Sequence, residues 1–327
     1  MGKKVLKYAI SLLLAAALLY FAFRGVDWVS FADGLRQTQW AYIALLFFAS
    51  LLAVVLREER WRAMLLPIDG SVRRLDVWDS ANVGNLVNVV LPGAGEFVRC
   101  AYVSRGGLGY DKALGTVVFE RMWDMLAVAL LFVAALACGW GRFGEFFVAQ
   151  IWRPFADRMD FSLWWIAALL IAVAACVLTA VFRMGSGGGF FGRVAGWIKG
   201  VGSGFSSFAR MRRKWLFLLY TAGIWTMYVV MSWAGFKAVP ALSSLGMADA
   251  LFISAVGNIA SVVPVPGGIG AYHYLVALSL QALFAADWNT GILYATLCHE
   301  SHAVMVMFIG IISYLSLGLR RRGGRNK

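Results

Sequence analysis

The sequence predicts an all-α polytopic membrane protein: six full spans and two re-entrant helical hairpins arranged as an inverted repeat, with both termini cytoplasmic. Composition, the placement of basic residues and a Gly/Pro-broken motif that occurs twice lead to this reading. Of the 327 residues, 61% are hydrophobic and only 14% charged, a balance that excludes a water-soluble domain and fits a multi-span chain. The 30 basic residues outnumber 17 acidic ones, but they sit in short runs between apolar segments. That placement marks membrane orientation and not a nucleic-acid partner. Cys100, Cys138, Cys176 and Cys298 lie in apolar stretches without a CxxC pair and read as small buried residues.

Apolar runs near 5–23, 39–56, 113–139, 163–182, 215–236 and 291–318 approach the roughly 20 residues that a crossing helix needs. The first follows lysines as a signal peptide does. It is nevertheless long enough to span, and no small-residue cleavage site follows, so it reads as a retained span. Two further apolar segments, 81–104 and 249–285, are interrupted by "LPGAGE" and "VPVPGGIG". Each fits a span, a broken helix or a hairpin that enters and leaves on one side.

Charge separates these alternatives. If both segments are re-entrant and Lys3, Lys4 and Lys7 are cytoplasmic, the loop with Arg57, Arg60, Arg62, Arg73 and Arg74 falls inside. So do the acid-free connector from Arg183 to Lys214 and the tail with Arg320, Arg321, Arg322 and Arg325. The charge-balanced loops 24–38 and 140–162 fall outside, as the positive-inside rule prefers.

The hairpins resemble each other. "VGNLVNVVLPGAGE" from Val83 and "VGNIASVVPVPGGIG" from Val256 share Val-Gly-Asn, then Val-Val running into Pro and Gly. Each follows two spans and precedes a third. The chain therefore divides into a first repeat at 1–139, an extracytoplasmic connector at 140–160, a second repeat at 161–318 and a basic tail at 319–327. An odd number of crossings per unit inverts the second relative to the first, so the two hairpins enter from opposite faces, as in inverted-repeat transporters.

Charged residues inside apolar runs are the next signal. "VVFERMWDML" places Glu120, Arg121 and Asp124 well inside a span, where each costs about 2.5–3.5 kcal/mol on an isolated helix. Glu120 and Asp124 are four apart and share a face; Arg121 and Asp124 are three apart and can pair. Such a face points into protein or a wet cavity, as a pathway or as an ion-pair lock between helices. The last span carries His299, Glu300 and His302 in "HESH". At 1.5 Å per residue, Glu120 and Glu300 lie roughly 12–14 Å below opposite surfaces, so both approach the midplane. "HESH" is not the HExxH of zinc proteases, since its histidines are three apart, and only His273 offers a further ligand.

Glu96 and Arg99 follow the first break, where a helix restarting after Gly95 offers amide groups and a positive dipole end to an anion. Phosphate is the obvious anion in a bilayer. Gly267, Gly268 and Gly270, with His273 one turn on, offer either a similar backbone site or close helix packing. The glycine-rich 185–204 lacks the GK[ST] ending of a P-loop and reads as a basic connector. Arg57, Arg60 and Arg62 read as a snorkelling belt that can collect anionic lipid, with Trp61 at the interface.

Arg57 with Arg60-Trp61, "LPGAGEFVR", "FERMWD" and "PVPGGIG", in this order and across almost the whole chain, resemble the membrane domain of the lysylphosphatidylglycerol synthase/flippase family. The resemblance implies a domain that moves lipids between leaflets. Carried over, the motifs around its path are Gly95, Glu96 and Arg99; Glu120, Arg121 and Asp124; and Pro266, Gly267, Gly268 and Gly270. The full-length synthases continue into a soluble aminoacyl-transfer domain. Here the chain stops at Lys327, so lysyl transfer is not expected. The family pattern often places a glutamate where this chain has His273.

Together these readings predict a multi-pass transporter of the cytoplasmic (inner) membrane that flips an anionic or isoprenoid phospholipid. Its headgroup is held between the two hairpin tips, near Arg99, Arg121 and Glu120. No enzyme activity, cofactor or metal is expected. With no nucleotide motif, Glu120, Asp124, Glu300 and the histidines are the candidates for proton coupling. The alternative is a metal-dependent lipid-modifying or hydrolytic enzyme using His299, Glu300 and His302 with His273. A third reading is a helper subunit whose polar cluster serves assembly alone.

Overall fold

An apolar chain in a bilayer has no water for its peptide groups, so it satisfies them within helices. The computed structural model describes residues 16–148, 206–260 and 265–325 and the isolated positions 13, 153 and 202, and its regular elements are all helical. They are α1 (16–23), α2 (Trp28–Arg36), α3 (Trp40–Leu65), α4 (Arg74–Val90), α5 (Ala94–Val103), α6 (Tyr110–Cys138), α7 (Trp140–Phe147), α8 (Ser207–Arg210), α9 (Lys214–Ala238), α10 (Met247–Ala260), α11 (Ala271–Phe284) and α12 (Trp288–Arg325), with short 3-10 turns between some of them. Four stretches are long and apolar enough to cross a membrane: α3, α6, α9 and Trp288–Arg320 of α12. They match the runs predicted at 39–56, 113–139, 215–236 and 291–318. The first predicted span is described only over 16–23; the span at 163–182, most of the 185–204 connector and Cys176 lie outside the described residues.

Both Gly/Pro segments fold as helix, break, helix. Pro92 has no amide hydrogen to continue α4, and Gly93 at φ 76° takes a left-handed turn that other residues resist. The arms α4 and α5 then fold back on each other: a Cβ on Gly84 would stand 2.7 Å from the Gly95 carbonyl oxygen. Asn88 Oδ1 accepts from the Gly95 amide at 2.8 Å, so the break is satisfied from within. In the second segment, α10 and α11 are joined through a turn at Pro266–Gly268, with Gly267 at φ 59° and Gly268 at φ 77°. Tyr272 of α11 lies over Gly257 of α10, so these arms also pack together.

The hairpins pack reciprocally. The first arm of each lies against the long helix that follows the other, α4 on α12 and α10 on α6, while α3 and α9 pair with each other. Gly310 lets α12 cross α4, since a Cβ there would be 2.7 Å from Leu86 Cβ and 3.0 Å from the Asn82 carbonyl. Arg320 then ties the end of α12 to Asp76 at 2.9 Å and to the buried Asp79. The tips also meet: the Val89 carbonyl lies 3.6 Å from where a Gly267 Cβ would stand. One apolar core joins α3, α9, α10, α11 and α12; a second packs Trp61 and Leu65 against the first hairpin and the start of α6.

Outside the spans, Asp27 caps α2, and the Ser30 hydroxyl followed by the Val29 amide holds its carboxyl below the usual carboxylate range. Cys100 and Cys298 are buried as expected, whereas Cys138 is exposed because it ends α6.

The Gly84 contact generates a prediction. Gly84→Val forces the arms of the first hairpin apart and should lower stability by about 1–3 kcal/mol, read as a fall in the melting temperature of the purified protein. Gly70→Ala, where a Cβ meets nothing within 4 Å, should leave it within about 0.5 kcal/mol.

Candidate functional site

The charged residues of α3 and α6 form complementary ladders. Arg57 and Arg60 are three apart on α3, Glu120 and Asp124 four apart on α6, and each pair occupies one helical face. Arg60 reaches Glu120 at 3.1 Å and Asp124 at 2.7 Å; Arg57 reaches Asp124 at 2.6 Å. Below them the Trp61 indole donates to Thr116 Oγ1 at 3.0 Å. The partners run in opposite directions along the two helices, so α3 and α6 are antiparallel here. From α9, Tyr228 Oη accepts from Arg57 at 2.8 Å and the Phe217 ring lies 5.6 Å from the Arg60 guanidinium.

The first hairpin supplies the rest. Arg99 reaches Glu120 at 2.8 Å and Glu96 at 2.7 Å, and stacks 4.7 Å above the Trp61 ring. Glu120, with no exposed side-chain surface, is thus held between Arg60 and Arg99. Arg121 is held most loosely: its contacts to Glu96, Glu120 and Asp124 are 3.4, 3.8 and 3.9 Å, and 43% of its side chain is exposed. Four guanidinium groups face three carboxylates in this network, and the carboxyl of the buried Glu58 interacts with Arg99 and Arg57 beside it.

A second polar cluster is built on the other hairpin. His299 Nε2 donates to the Gly267 carbonyl at 2.9 Å, and its Nδ1 faces Glu300 Oε1 at 3.0 Å. His273, 2% exposed, brings Nε2 to 3.7 Å from the same oxygen. His302 turns away from this group, its Nδ1 lying 2.7 Å from Ser50 Oγ of α3.

Between the two clusters lies a cavity of about 590 Å³. Arg57, Arg121 and Asp124 line one side; Gly267, Gly268, His299 and His302 line the other. Ser254 and Asn258 of α10 and Trp225 and Tyr228 of α9 also contribute to the wall. The buried Trp225 Nε1 has no hydrogen-bond partner among the described residues. Met125 and Ile259, both exposed, bring apolar surface to the lining.

Two motifs from separate parts of the chain, the "FERMWD" acid/base run and the "PVPGGIG" turn, therefore face one space. The model of the lysylphosphatidylglycerol synthase TM region matches residues 8–310. The chain belongs to that family. No curated protein and no solved structure matches it.

The site residues named from the sequence of this lysylphosphatidylglycerol synthase membrane-region protein, family motifs and the separate histidine cluster alike, divide into two sets. Arg121, Asp124, Gly267, Gly268 and His299 reach the cavity wall. Gly95, Glu96, Arg99 and Glu120 stand behind it: Gly95 packs on Gly84, and Arg99 and Glu96 are committed to the ion-pair network. Pro266 begins the second turn, Gly270 packs against Leu18 and Leu19 of α1, and His273 and Glu300 lie beside His299.

The arginine belt is corrected. Arg60 and Trp61 are fully buried, and Arg57 is bound between Asp124 and Tyr228, because α3 continues as one helix to Leu65 and carries its charges onto α6 instead of to the surface. The signal was present in the sequence: basic residues three apart on one helix match acidic ones four apart on another. The expected Arg121–Asp124 pair is the longest contact in the network, since Arg57 and Arg60 occupy Asp124. Ser50 and Trp225 carried no sequence signal, whereas Asn258 belongs to the Val-Gly-Asn that both hairpins share.

Removing the central carboxylate should be costly. Glu120→Ala leaves Arg60 and Arg99 buried without their shared partner and should destabilise the protein by about 3–5 kcal/mol, visible as aggregation in size-exclusion chromatography after mild heating. Arg121→Ala, at a more exposed and loosely paired position, should cost no more than about 1 kcal/mol.

Proposed function

We propose that the chain is a lipid transporter of the flippase type in the cytoplasmic (inner) membrane, moving an anionic or isoprenoid phospholipid between leaflets without covalent chemistry. The observation that carries this reading is the cavity, which combines Arg57 and Arg121 on one wall with the Gly267–Gly268 turn and His299 on the other. A phosphate headgroup entering it would meet Arg121, the most exposed and most loosely paired guanidinium of the arginine network. Trp225 contributes its ring to the wall, and the cavity's dimensions suit a headgroup. Met125 and Ile259 bring exposed apolar surface to the same wall, a route by which acyl chains remain in the bilayer.

The architecture proposed with this function has six spans, two re-entrant hairpins related as inverted repeats over 1–139 and 161–318, and cytoplasmic termini. Three observations support it. Each hairpin's first arm packs on the long helix after the other hairpin, α3 pairs with α9, and the two tips touch. Alternating access then comes from one unit rocking against the other about the tips, the usual working of inverted repeats. Lipid is the expected partner, and Asp124 and His302 are the proposed proton carriers.

Reconstituted into vesicles with a headgroup-quenchable fluorescent phosphatidylglycerol, the wild-type protein should move label between leaflets. Arg121→Ala should slow the movement about tenfold or more, the loss of one charge-assisted contact, and Arg121→Lys should recover part of it. No movement by wild type, or an Arg121→Ala rate equal to wild type, would sink the reading.

A further inference from the structure

We propose that His273, His299 and Glu300 form a binding site for a divalent transition-metal ion of the zinc class. The three side chains present one ligand atom each, all within 4.8 Å of one another. The hydrogen-bond pattern calls for a positive centre between His299 and Glu300, either a second ring proton or a metal ion, and the third nearby ligand atom, on His273, favours the metal. A carbonyl oxygen only accepts, so at 2.9 Å from the Gly267 carbonyl His299 Nε2 must carry the ring proton. In the neutral imidazole Nδ1 is then a bare lone pair, and it points at a carboxylate oxygen 3.0 Å away. Two acceptors at that separation repel unless a positive centre lies between them.

The geometry fits a metal at that point. Zinc binds imidazole nitrogen at about 2.0–2.1 Å and carboxylate oxygen at about 2.0–2.2 Å, which places neighbouring ligand atoms of a tetrahedron about 3.3–3.6 Å apart. The His299–Glu300 and His273–Glu300 separations are 3.0 and 3.7 Å, on either side of that range. The bond from His299 Nε2 to a backbone carbonyl is the outer contact that ligating histidines normally make, since it fixes the tautomer and turns the other nitrogen toward the metal. His273 is 2% exposed, and among the described residues its Nδ1 has no hydrogen-bond partner, so the outer contact that His299 makes is missing on this ring. It comes from α11, just after the second break, while His299 and Glu300 are consecutive on α12. The metal would therefore clamp the second hairpin to the last long helix. Two histidines and one glutamate leave a fourth position, to be filled by water or by a ligand oxygen from the cavity whose wall His299 shares.

This assignment regroups the motif "HESH". His302, the second histidine of that run, is engaged with Ser50 and takes no part; His273, 26 positions before His299 in the chain, takes its place. The site does not rest on lipid transport, because its occupancy is read on the protein without any lipid substrate.

The test uses the full chain, purified in detergent without a histidine tag, stripped with a chelator and titrated with zinc chloride. Metal retained after desalting is measured by mass spectrometry, and cobalt(II) serves as an optical probe of the coordination shell. Wild type should hold one zinc per chain and give the intense visible bands of tetrahedral cobalt. His299→Ala and Glu300→Gln should each weaken binding by at least about tenfold, while His302→Ala should bind as wild type does. Size-exclusion profiles establish that each variant is folded; should His299→Ala aggregate, the milder Glu300→Gln and the His302→Ala control still decide the matter. Less than a tenth of an equivalent of zinc on wild type, or full binding by folded Glu300→Gln, overturns the site and leaves a proton shared between His299 and Glu300. Neither result touches the vesicle assay, so failure of the metal site and failure of the transport reading remain distinguishable.

Discussion

A carboxylate buried among transmembrane helices needs its positive charge supplied by protein, and Glu120 draws that charge from two directions at once. One oxygen is held by Arg60 of α3 and the other by Arg99 of the first hairpin. Neither arginine is stable alone at that depth, because an unpaired guanidinium in hydrocarbon costs several kcal/mol. Each must therefore bring its helix to α6. Arg60 further needs Asp124, and Asp124 recruits Arg57, whose second partner is Tyr228 of α9. One buried acid thus sets the mutual placement of α3, α5, α6 and α9, helices whose apolar side chains would pack in many registers. Apolar surface gives little preference among such arrangements in lipid, where the tails are as apolar as leucine; the ion-pair ladder selects one.

The hairpins solve a different problem, that of broken backbone away from water. In the first, the Asn88 side chain accepts from the amide freed at Gly95, and the close approach of Gly84 and Gly95 leaves no room between the arms. In the second, the turn lends a carbonyl, Gly267 O, to His299 of α12. A helix break is tolerated at membrane depth where its loose groups are met by neighbouring side chains or face a polar cavity. The first break takes the former route and the second takes both, which explains why only the second contributes turn residues to the cavity wall.

Much of this is legible in the sequence. Apolar runs of the right length located α3, α6, α9 and α12, and the Pro-Gly interruptions located both breaks, because each rests on a local rule of chain geometry. The importance of Glu120, Arg121 and Asp124 followed from the cost of charge in a span. What escaped was partner choice. Arg57 and Arg60 look like headgroup anchors when α3 is read alone, since their position near the end of an apolar run is also where snorkelling residues occur. Only the register of α3 against α6 turns them inward. His273 was named beside His299 and Glu300, but the separation of His302 from them was hidden for a similar reason: residues close together on a helix point in different directions, and the sequence does not say which direction faces α11.

The two walls of the cavity differ in how readily they can respond to a ligand. On the arginine side the contacts of Arg60 and Arg57 to Asp124 are 2.6–2.7 Å, and that of Arg99 to Glu120 is 2.8 Å. An incoming anion would have to break these charge-assisted bonds before forming its own, for no net gain. Arg121, at 3.4–3.9 Å from its carboxylates, can turn to an anion while surrendering little. The network therefore divides into a tightly paired part that keeps the helices in place and a loosely paired part, Arg121, with little to lose on changing partners. The proposed headgroup site would need this division to take up and release the same ligand. If every arginine were as loose as Arg121, the wall would follow the ligand as it left, and if all were as tightly paired as Arg60, no charge would remain to attract it.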